Sequence, residues 1–179
     1  MRPYVFKFYL LSLLFLTTAC VSLDSKNKEV SQQTQDYVTN YYAALAAYER
    51  SDYVVALASF KKLALAGDAL SQLYVGNMYE RGEGVAQSVE EAVRWYRLAA
   101  DQGCVDAQVN LAEVYSNGVG VVHDDVQAYM WLTVAAEQGE FGAQQERRAI
   151  EARMTSEEII TAQRWVAEWH KLKHSNSRE

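Results

Sequence analysis

The sequence lacks most of the features that would point to catalysis. Its 179 residues include one proline, two cysteines and three histidines, and neither a Ser-His-Asp order nor a nucleophile elbow is present. Gly82 and Gly84 follow a helical pattern rather than a strand, and the third glycine and the lysine of a phosphate-binding loop are missing. We therefore predict that the protein is not an enzyme and needs no cofactor or metal.

Positive charge is also scarce, with 17 lysines and arginines against 23 aspartates and glutamates. Because a net acidic domain repels phosphate and the anionic groups of lipopolysaccharide, the composition argues against nucleic-acid binding. Half of the residues are hydrophobic, which is enough for one domain with a core. The alanine, leucine, glutamate and glutamine content favours helix over strand.

The first twenty residues form a targeting pattern. Arg2 and Lys7 precede the apolar run "FYLLSLLFL", which is too short to span a bilayer, and "LTTAC" ends at Cys20. The stretch resembles a bacterial lipoprotein signal, although Thr17 stands where that signal usually has leucine. The resemblance implies that residues 1–19 are removed and that Cys20 carries lipid. An ordinary secretory signal with an incidental cysteine is the alternative.

The segment that follows is predicted to be a flexible tether over residues 20–35. It reads "VSLDSKNKEVSQQTQ" after the cysteine, with no aromatic residue and no helical stripe. Val21 after the cysteine resembles the outer-membrane-directed class of Gram-negative lipoproteins. Removing residues 1–19 leaves fifteen basic and twenty-three acidic residues, a net charge of −8. Cys104 is then the last thiol, so no internal disulfide can form, and we interpret it as a small residue at a helix start.

The strongest pattern is an internal repeat with a period of thirty-six residues. Residues 67–102 and 103–138 align without gaps and share eleven identities. These identities fall on glycines, small residues and aromatics rather than on charges: Gly67/Gly103, Gln72/Gln108, Tyr79/Tyr115, Gly82/Gly118, Gly84/Gly120, Val85/Val121, Ala92/Ala128, Trp95/Trp131, Ala99/Ala135, Ala100/Ala136 and Gln102/Gln138. Such a distribution indicates a packing repeat.

Each unit is predicted to fold as a helix hairpin. Small and apolar residues recur at three- and four-residue steps along its first helix, which ends at Gly82 or Gly118 because glycine accepts positive φ. Ser88 and Asp124 are predicted to cap the second helix. Gly76 and Ala112 lie beside the stripe, where a missing side chain allows close approach. The structural signature is Tyr79, Gly82, Gly84, Val85 and Trp95, then Tyr115, Gly118, Gly120, Val121 and Trp131.

This pattern resembles the Sel-one-like repeats (SLR), a subclass of tetratricopeptide-like helical repeats. Three positions depart from the family pattern: Ser88 replaces aspartate, Ala112 replaces glycine and Leu132 replaces tyrosine. The resemblance implies an all-α fold, a right-handed α-solenoid of antiparallel helix pairs.

The repeat domain is predicted to cover residues 36–172, with degenerate units at both ends. Upstream, Ala56, Phe60 and Leu63 keep the register of a second helix, whose partner falls near residues 37–50. Downstream, Ala143 and Gln144 begin another first helix. "TSEE" then predicts a capping box between Thr155 and Glu158. The last helix carries Ile159, Ala162, Val166 and Trp169 on one stripe, and residues 173–179 form a charged tail.

A partner-binding strip is predicted on the first helices, which line the concave surface of helical solenoids. It comprises residues off the buried stripe: Tyr74, Asn77, Arg81, Asn110, Glu113 and Asn117. Plain solvated helix faces are the alternative. His170 and His174 have a spacing that can grip a metal from one face, but no third ligand is near in sequence.

The function predicted from these features is that of a membrane-anchored scaffold or regulatory adaptor in the bacterial cell envelope. It would bind unidentified envelope proteins and be lipid-anchored at the outer membrane, facing the periplasm. The alternative comes from relatives associated with binding or hydrolysing β-lactams or peptidoglycan fragments. Their paired cysteines within each unit are absent here.

Overall fold

The computed structural model describes residue 28 and residues 30–176 of the chain. Within these residues all regular structure is helical, which confirms the all-α prediction. Helix α1 covers residues 30–49, and it is followed by α2 (Tyr53–Leu65), α3 (Ala69–Arg81), α4 (Val89–Asp101), α5 (Val105–Asn117), α6 (Asp125–Glu137), α7 (Phe141–Glu151) and α8 (Ser156–Asn176). None of the helices in this part of the chain is both long and apolar enough to cross a membrane.

The chain divides into two compact units, Met1–Tyr42 and Ala43–Glu179. In the first unit, residues 30–35 are helical, although the sequence assigned them to the flexible tether. The Gln32 side chain donates to Asp36 Oδ1 at 3.0 Å and Thr34 Oγ1 to the Val30 carbonyl at 2.8 Å. The Gln32–Asp36 pair is an i to i+4 side-chain interaction of the kind that stabilises a helix without an apolar stripe. The predicted lipidation site, Cys20, lies outside the described residues.

In the second unit, the helices pack against their neighbours in chain order. Contacts join α2 to α3, α3 to α4, α4 to α5, α5 to α6, and α6 to α7. The last helix, α8, packs against α6. This arrangement is a stack of antiparallel helix pairs closed at one end by a helix that departs from the series.

Local sequence determines where the central helices begin and end. Ser88 and Asp124 each accept the backbone N–H three residues ahead, at 3.2 and 3.0 Å, so both predicted N-caps are confirmed. Helices α3 and α5 end at Gly82 and Gly118, which have φ values of 71° and 64°. Glycine adopts this left-handed conformation without the steric cost that a Cβ imposes.

The core follows the predicted stripes and extends into the flanking units. Ala56, Phe60 and Leu63 are buried on α2, as their register predicted. Other buried apolar residues of the central pairs and of the terminal unit include Val75, Met78, Ala92, Tyr96, Ala99, Ala100, Ala107, Leu111, Ala112, Ala128, Leu132, Ala135, Ala143, Ala162 and Val166. Helix α2 and the terminal helices α7 and α8 therefore contribute buried residues to the second unit.

The capping box before α8 is confirmed. Thr155 donates its backbone N–H to Glu158 Oε2 at 2.7 Å, and Glu158 donates its own N–H to Thr155 Oγ1 at 3.3 Å. The helix continues to Asn176, so the first residues of the predicted charged tail are helical. Residues 177–179 lie outside the described range.

Candidate functional site

The two Gly-x-Gly-Val corners fix each helix pair to the pair before it. A Cβ on Gly84 would lie 2.5 Å from the Tyr53 carbonyl oxygen, and a Cβ on Gly120 would lie 2.7 Å from Val89 Cβ. Tyr53 and Val89 are the first residues of α2 and α4 and are one period apart. Each corner therefore packs against the start of the second helix in the preceding pair, with Val121 packed against the core.

The signature tyrosines join successive units through their hydroxyl groups. Lys61 Nζ donates to Tyr79 Oη at 3.1 Å, and Arg97 Nη2 donates to Tyr115 Oη at 2.6 Å. Lys61 and Arg97 are also thirty-six residues apart. The sequence comparison missed this role because it considered only identical residues. Lys61 and Arg97 occupy the same repeat position but are different residues with the same charge.

A ladder of glutamines connects the ends of the helices. Gln72 and Gln108 donate to the carbonyls of Ala64 and Ala100 at 3.0 and 3.2 Å. Gln102 and Gln138, from the following helix ends, donate to the Gln72 and Gln108 side-chain oxygens at 2.7 and 2.8 Å. Two of the eleven identities are thus polar links rather than apolar packing residues, and of these Gln72 and Gln108 are buried while Gln102 and Gln138 are exposed.

The signature tryptophans are core residues. Trp95 is 8% exposed and Trp131 is 4% exposed. Trp131 also meets Trp169 of α8 edge to face, with ring centroids 6.5 Å apart. The second tryptophan therefore helps to hold the terminal helix against α6.

Three residues of the predicted strip, Tyr74, Asn77 and Asn110, make contacts within the protein. Tyr74 stacks on Phe60 with ring centroids 4.5 Å apart. Asn77 Oδ1 accepts hydrogen bonds from Tyr96 Oη at 2.7 Å and from Asn110 Nδ2 at 3.0 Å. These three strip residues therefore support packing, although the strip's role in binding stays a prediction. The sequence pattern identified the helix face but not the contacts made across it.

The remaining strip residues, Arg81, Glu113 and Asn117, are exposed. Glu113 and Asn117 line a cavity of about 340 Å³ between α5, α6 and α7. Its other lining residues are Ala112, Ser116, Leu132, Glu146, Ala149, Ile150 and Arg153. The structure thus brings two strip residues to an open space, beside residues of α6 and α7 that the sequence had not singled out.

Tyr96 occupies the equivalent space in the first repeat. Its hydroxyl donates to Glu80 Oε2 at 2.6 Å and to Asn77 Oδ1, while its ring lies against Gly76, where an added Cβ would fall 2.4 Å from ring carbons. Burial and the nearby Glu80 carboxylate raise the pKa of Tyr96 well above its ordinary value. Ala112 and Leu132 stand at the matching positions of the second repeat. The two departures from the family pattern are therefore one paired change.

The other candidate residues have local partners. In the pair of histidines singled out by its spacing, His170 Nε2 lies 2.6 Å from Glu137 Oε2. His123 contacts the Ser116 carbonyl and Asp125. Cys104 is the N-cap residue of α5, as the sequence suggested, and burial raises the pKa of its thiol. A raised pKa lowers the thiolate fraction on which cysteine reactivity depends.

Comparison with known proteins agrees with this architecture. The family model of the Sel1 repeat matches residues 69–104 and 105–140. No curated protein matches the chain. The chain is a helical-repeat protein of the SLR fold. Its two central helix pairs are Sel1 repeats, a class that generally mediates protein–protein interaction.

Several solved structures resemble the chain, including two bacterial proteins. One is a protective antigen of uropathogenic Escherichia coli strains that displays an SLR fold, with a TM-score of 0.71 and 27% identity over 79% of this chain. The other is a Sel1 repeat protein from Oxalobacter formigenes, with a TM-score of 0.59 and 28% identity over 72% of this chain. This chain spans 31% and 55% of those two proteins, respectively.

Proposed function

We propose that the protein is a lipid-anchored adaptor of the bacterial cell envelope, which binds protein partners through the open half of its first-helix strip. The observation that carries this proposal is the cavity beside Glu113 and Asn117, where the repeat surface is open rather than filled from within. Repeats of this class are interaction modules, and concave, partly apolar sites with a few polar groups are where ligands bind.

The anchoring part rests on the sequence. The lipobox-like stretch ending at Cys20 supports lipidation, and both structural relatives come from bacteria. Several lipid chains would hold the protein durably at a membrane, since each buried methylene contributes about 0.8 kcal/mol. Confinement at one surface would raise the effective concentration of the protein for partners anchored there.

Site-specific photo-crosslinking would test the binding surface. A crosslinking amino acid is placed at Asn117, and the matched control carries it at Arg94, an exposed residue of α4. We expect discrete crosslinked partners from position 117 in intact cells and few or none from position 94. Equal crosslinking from both positions would contradict the assignment of this face.

Replacing the predicted lipidation site would test the anchor. We expect Cys20→Ser to release the protein from the membrane fraction and to abolish incorporation of a labelled fatty acid. The control is Cys104→Ser, which leaves the lipobox intact. If Cys20→Ser stays in the membrane fraction and the wild type takes up no label, the anchoring proposal is wrong.

A further inference from the structure

The cavity between α5, α6 and α7 matches the site that Tyr96 fills in the first repeat. The residues around Tyr96 are Gly76, Asn77 and Glu80, and Asn110 is hydrogen-bonded to Asn77. One period later, these positions are Ala112, Glu113, Ser116 and Glu146, and all four line the cavity. Leu132, which stands where Tyr96 does, lines it as well. The cavity is therefore lined by the positions that surround and include Tyr96 in the first repeat.

We propose that this cavity, termed the tyrosine socket, receives a tyrosine side chain from an extended segment of a partner protein. The inference rests on the proposed function, because it names the partner chemistry that the adaptor surface recognises. The first repeat supplies the template for the fit: a phenol ring between three helices, with its hydroxyl donating to acceptors on the first helix.

The walls of the tyrosine socket suit a phenol ring and its hydroxyl. Ala112, Leu132 and Ile150 are buried apolar residues at the base of the cavity, and Ala149 is an exposed apolar residue at its rim. At about 340 Å³, the cavity lies at the lower end of the range of roughly 300–1,000 Å³ typical of small-ligand pockets. It is thus of a size for one side chain rather than for a large cofactor.

The polar groups at the rim favour a hydrogen-bond donor. Glu113 and Glu146 are exposed carboxylates, and neither is in an ion pair within the part of the chain that the structure describes. Arg153 is already engaged, since its guanidinium donates to Ser116 Oγ at 2.9 Å and to Asp125 Oδ2 at 2.8 Å. Hydrogen bonds to charged groups are stronger than neutral ones, so a phenol donor would gain from either glutamate.

The test measures how many sites on the full-length protein bind a tyrosine probe. It compares the wild type with variants in which one repeat receives the residue pair of the other repeat. The probe is N-acetyl-L-tyrosinamide, followed by NMR shifts of residues around the socket. We expect one weak, saturable site in the wild type. Ala112→Gly with Leu132→Tyr copies the first-repeat pair and should weaken binding at least tenfold. Gly76→Ala with Tyr96→Leu should create a second site in the first repeat.

Two controls keep the outcome decisive. If the Ala112→Gly, Leu132→Tyr variant does not fold, Ala149→Phe obstructs the socket from an exposed rim position and should also abolish binding. N-acetyl-L-phenylalaninamide should bind more weakly than the tyrosine probe, because it lacks the hydroxyl. The proposal is overturned if neither filled variant weakens binding, or if N-acetyl-L-lysinamide binds more tightly than the tyrosine probe at the same residues.

Failure of this inference can be separated from failure of the proposed function. If Asn117 crosslinks partners while the socket takes no tyrosine probe, the surface is an interaction face and the tyrosine inference is wrong. If the probe binds the wild type and fails on the filled variant, the inference holds even where crosslinking from positions 117 and 94 is equal, and the adaptor proposal is then the one that fails.

Discussion

The two Sel1 repeats, residues 69–104 and 105–140, have the same frame but different interiors. Both end their first helix at a left-handed glycine, cap the second helix with a side-chain oxygen and bind a cation through the signature tyrosine hydroxyl. They differ at two matching positions: the first repeat has Gly76 and Tyr96, and the second has Ala112 and Leu132. The helix ends, the caps and the tyrosine contacts are thus the same in both repeats. The paired changes at these two positions decide whether the space between the helices is filled.

The two repeats also differ in whether the polar side chains of the first helix are hydrogen-bonded within the protein or exposed. In the first repeat, Asn77 and Glu80 are occupied by the Tyr96 hydroxyl. In the second repeat, Glu113 stands in place of Asn77 and remains exposed. The first-helix face is therefore a packing surface where Gly76, Asn77 and Tyr96 stand together, and an open one where Ala112, Glu113 and Leu132 replace them.

The largest expected effect distinguishes the two glycine corners. Gly84→Ala should lower the free energy of unfolding by about 3 kcal/mol, because a positive φ costs roughly 1–2 kcal/mol with a Cβ and the new methyl would meet the Tyr53 backbone. Gly120→Ala should cost about 1 kcal/mol less, since the atoms it meets belong to the Val89 side chain. Urea unfolding measures both.

The control for this comparison is Gly67→Ala, which also has a positive φ, of 98°, but has no atom within 4 Å of the added Cβ. Gly67→Ala therefore measures the cost of a positive φ without a steric clash of the added methyl group. If Gly84→Ala were no more destabilising than Gly67→Ala, the corner would not be packed against α2 as described.

The second prediction concerns the exchanged pair at the interior of the first repeat. Gly76→Ala alone should cost about 1–3 kcal/mol by overpacking against the Tyr96 ring. Tyr96→Leu alone should cost about 2–3 kcal/mol, because it leaves a cavity and removes the hydroxyl partner of Asn77 and Glu80. The double variant should be about 1–2 kcal/mol more stable than the sum of the two changes predicts.

A double-mutant cycle by chemical unfolding measures this coupling. The matched cycle in the second repeat uses Ala112→Gly and Leu132→Tyr, which should be coupled with the same sign. Simple additivity in both cycles would show that the two departures from the family pattern are unrelated.

The third prediction concerns the glutamine ladder. Gln108→Ala should cost about 1–3 kcal/mol, because the buried Ala100 carbonyl and the Gln138 amide lose a partner. Gln144, at the next repeat position, is exposed and should tolerate alanine within about 0.5 kcal/mol. Thermal unfolding of the two variants compares them. Equal effects would mean that the ladder contributes no stability.

Much of the frame was predictable from sequence because its rules are local. The caps at Ser88 and Asp124 and the helix ends at Gly82 and Gly118 follow from the conformations and hydrogen bonds of single residues. The thirty-six-residue period then placed Ala143 in the core of the terminal unit. The start of α1 was not predicted, because the absence of an apolar stripe was taken as the absence of helix.

The site was less predictable, since it depends on contacts between helices. Helical periodicity placed Asn77 and Asn110 off the buried stripe, which was correct, but it could not show that they hydrogen-bond to each other. Ala112 and Leu132 were both visible as departures in the sequence. That both line one cavity beside Glu113 required the geometry of three packed helices.

The smallest expected effect belongs to an ion pair found at the second repeat. Asp125 bonds to Arg153, while Val89 occupies the matching position of the first repeat. The Arg153 hydrogen bond holds the pKa of Asp125 below its usual value of 3.8, although partial burial opposes this shift. Because the folded-state pKa is lowered, the pair stabilises the protein above about pH 4, and this contribution is lost as the pH falls through the folded-state pKa. Arg153→Gln should therefore destabilise by less than about 1 kcal/mol at neutral pH and by nothing in strong acid.

Carboxyl NMR titration of Asp125 checks the origin of this effect. We expect its pKa to rise toward the usual value in Arg153→Gln and to stay unchanged in Arg50→Gln, which removes a surface pair with Asp52 far along the chain. An unchanged Asp125 pKa in Arg153→Gln would mean that the guanidinium does not hold this carboxylate in solution. In that case the shape of the tyrosine socket would depend on its lining residues from α5, α6 and α7 rather than on the pair between Arg153 and Asp125.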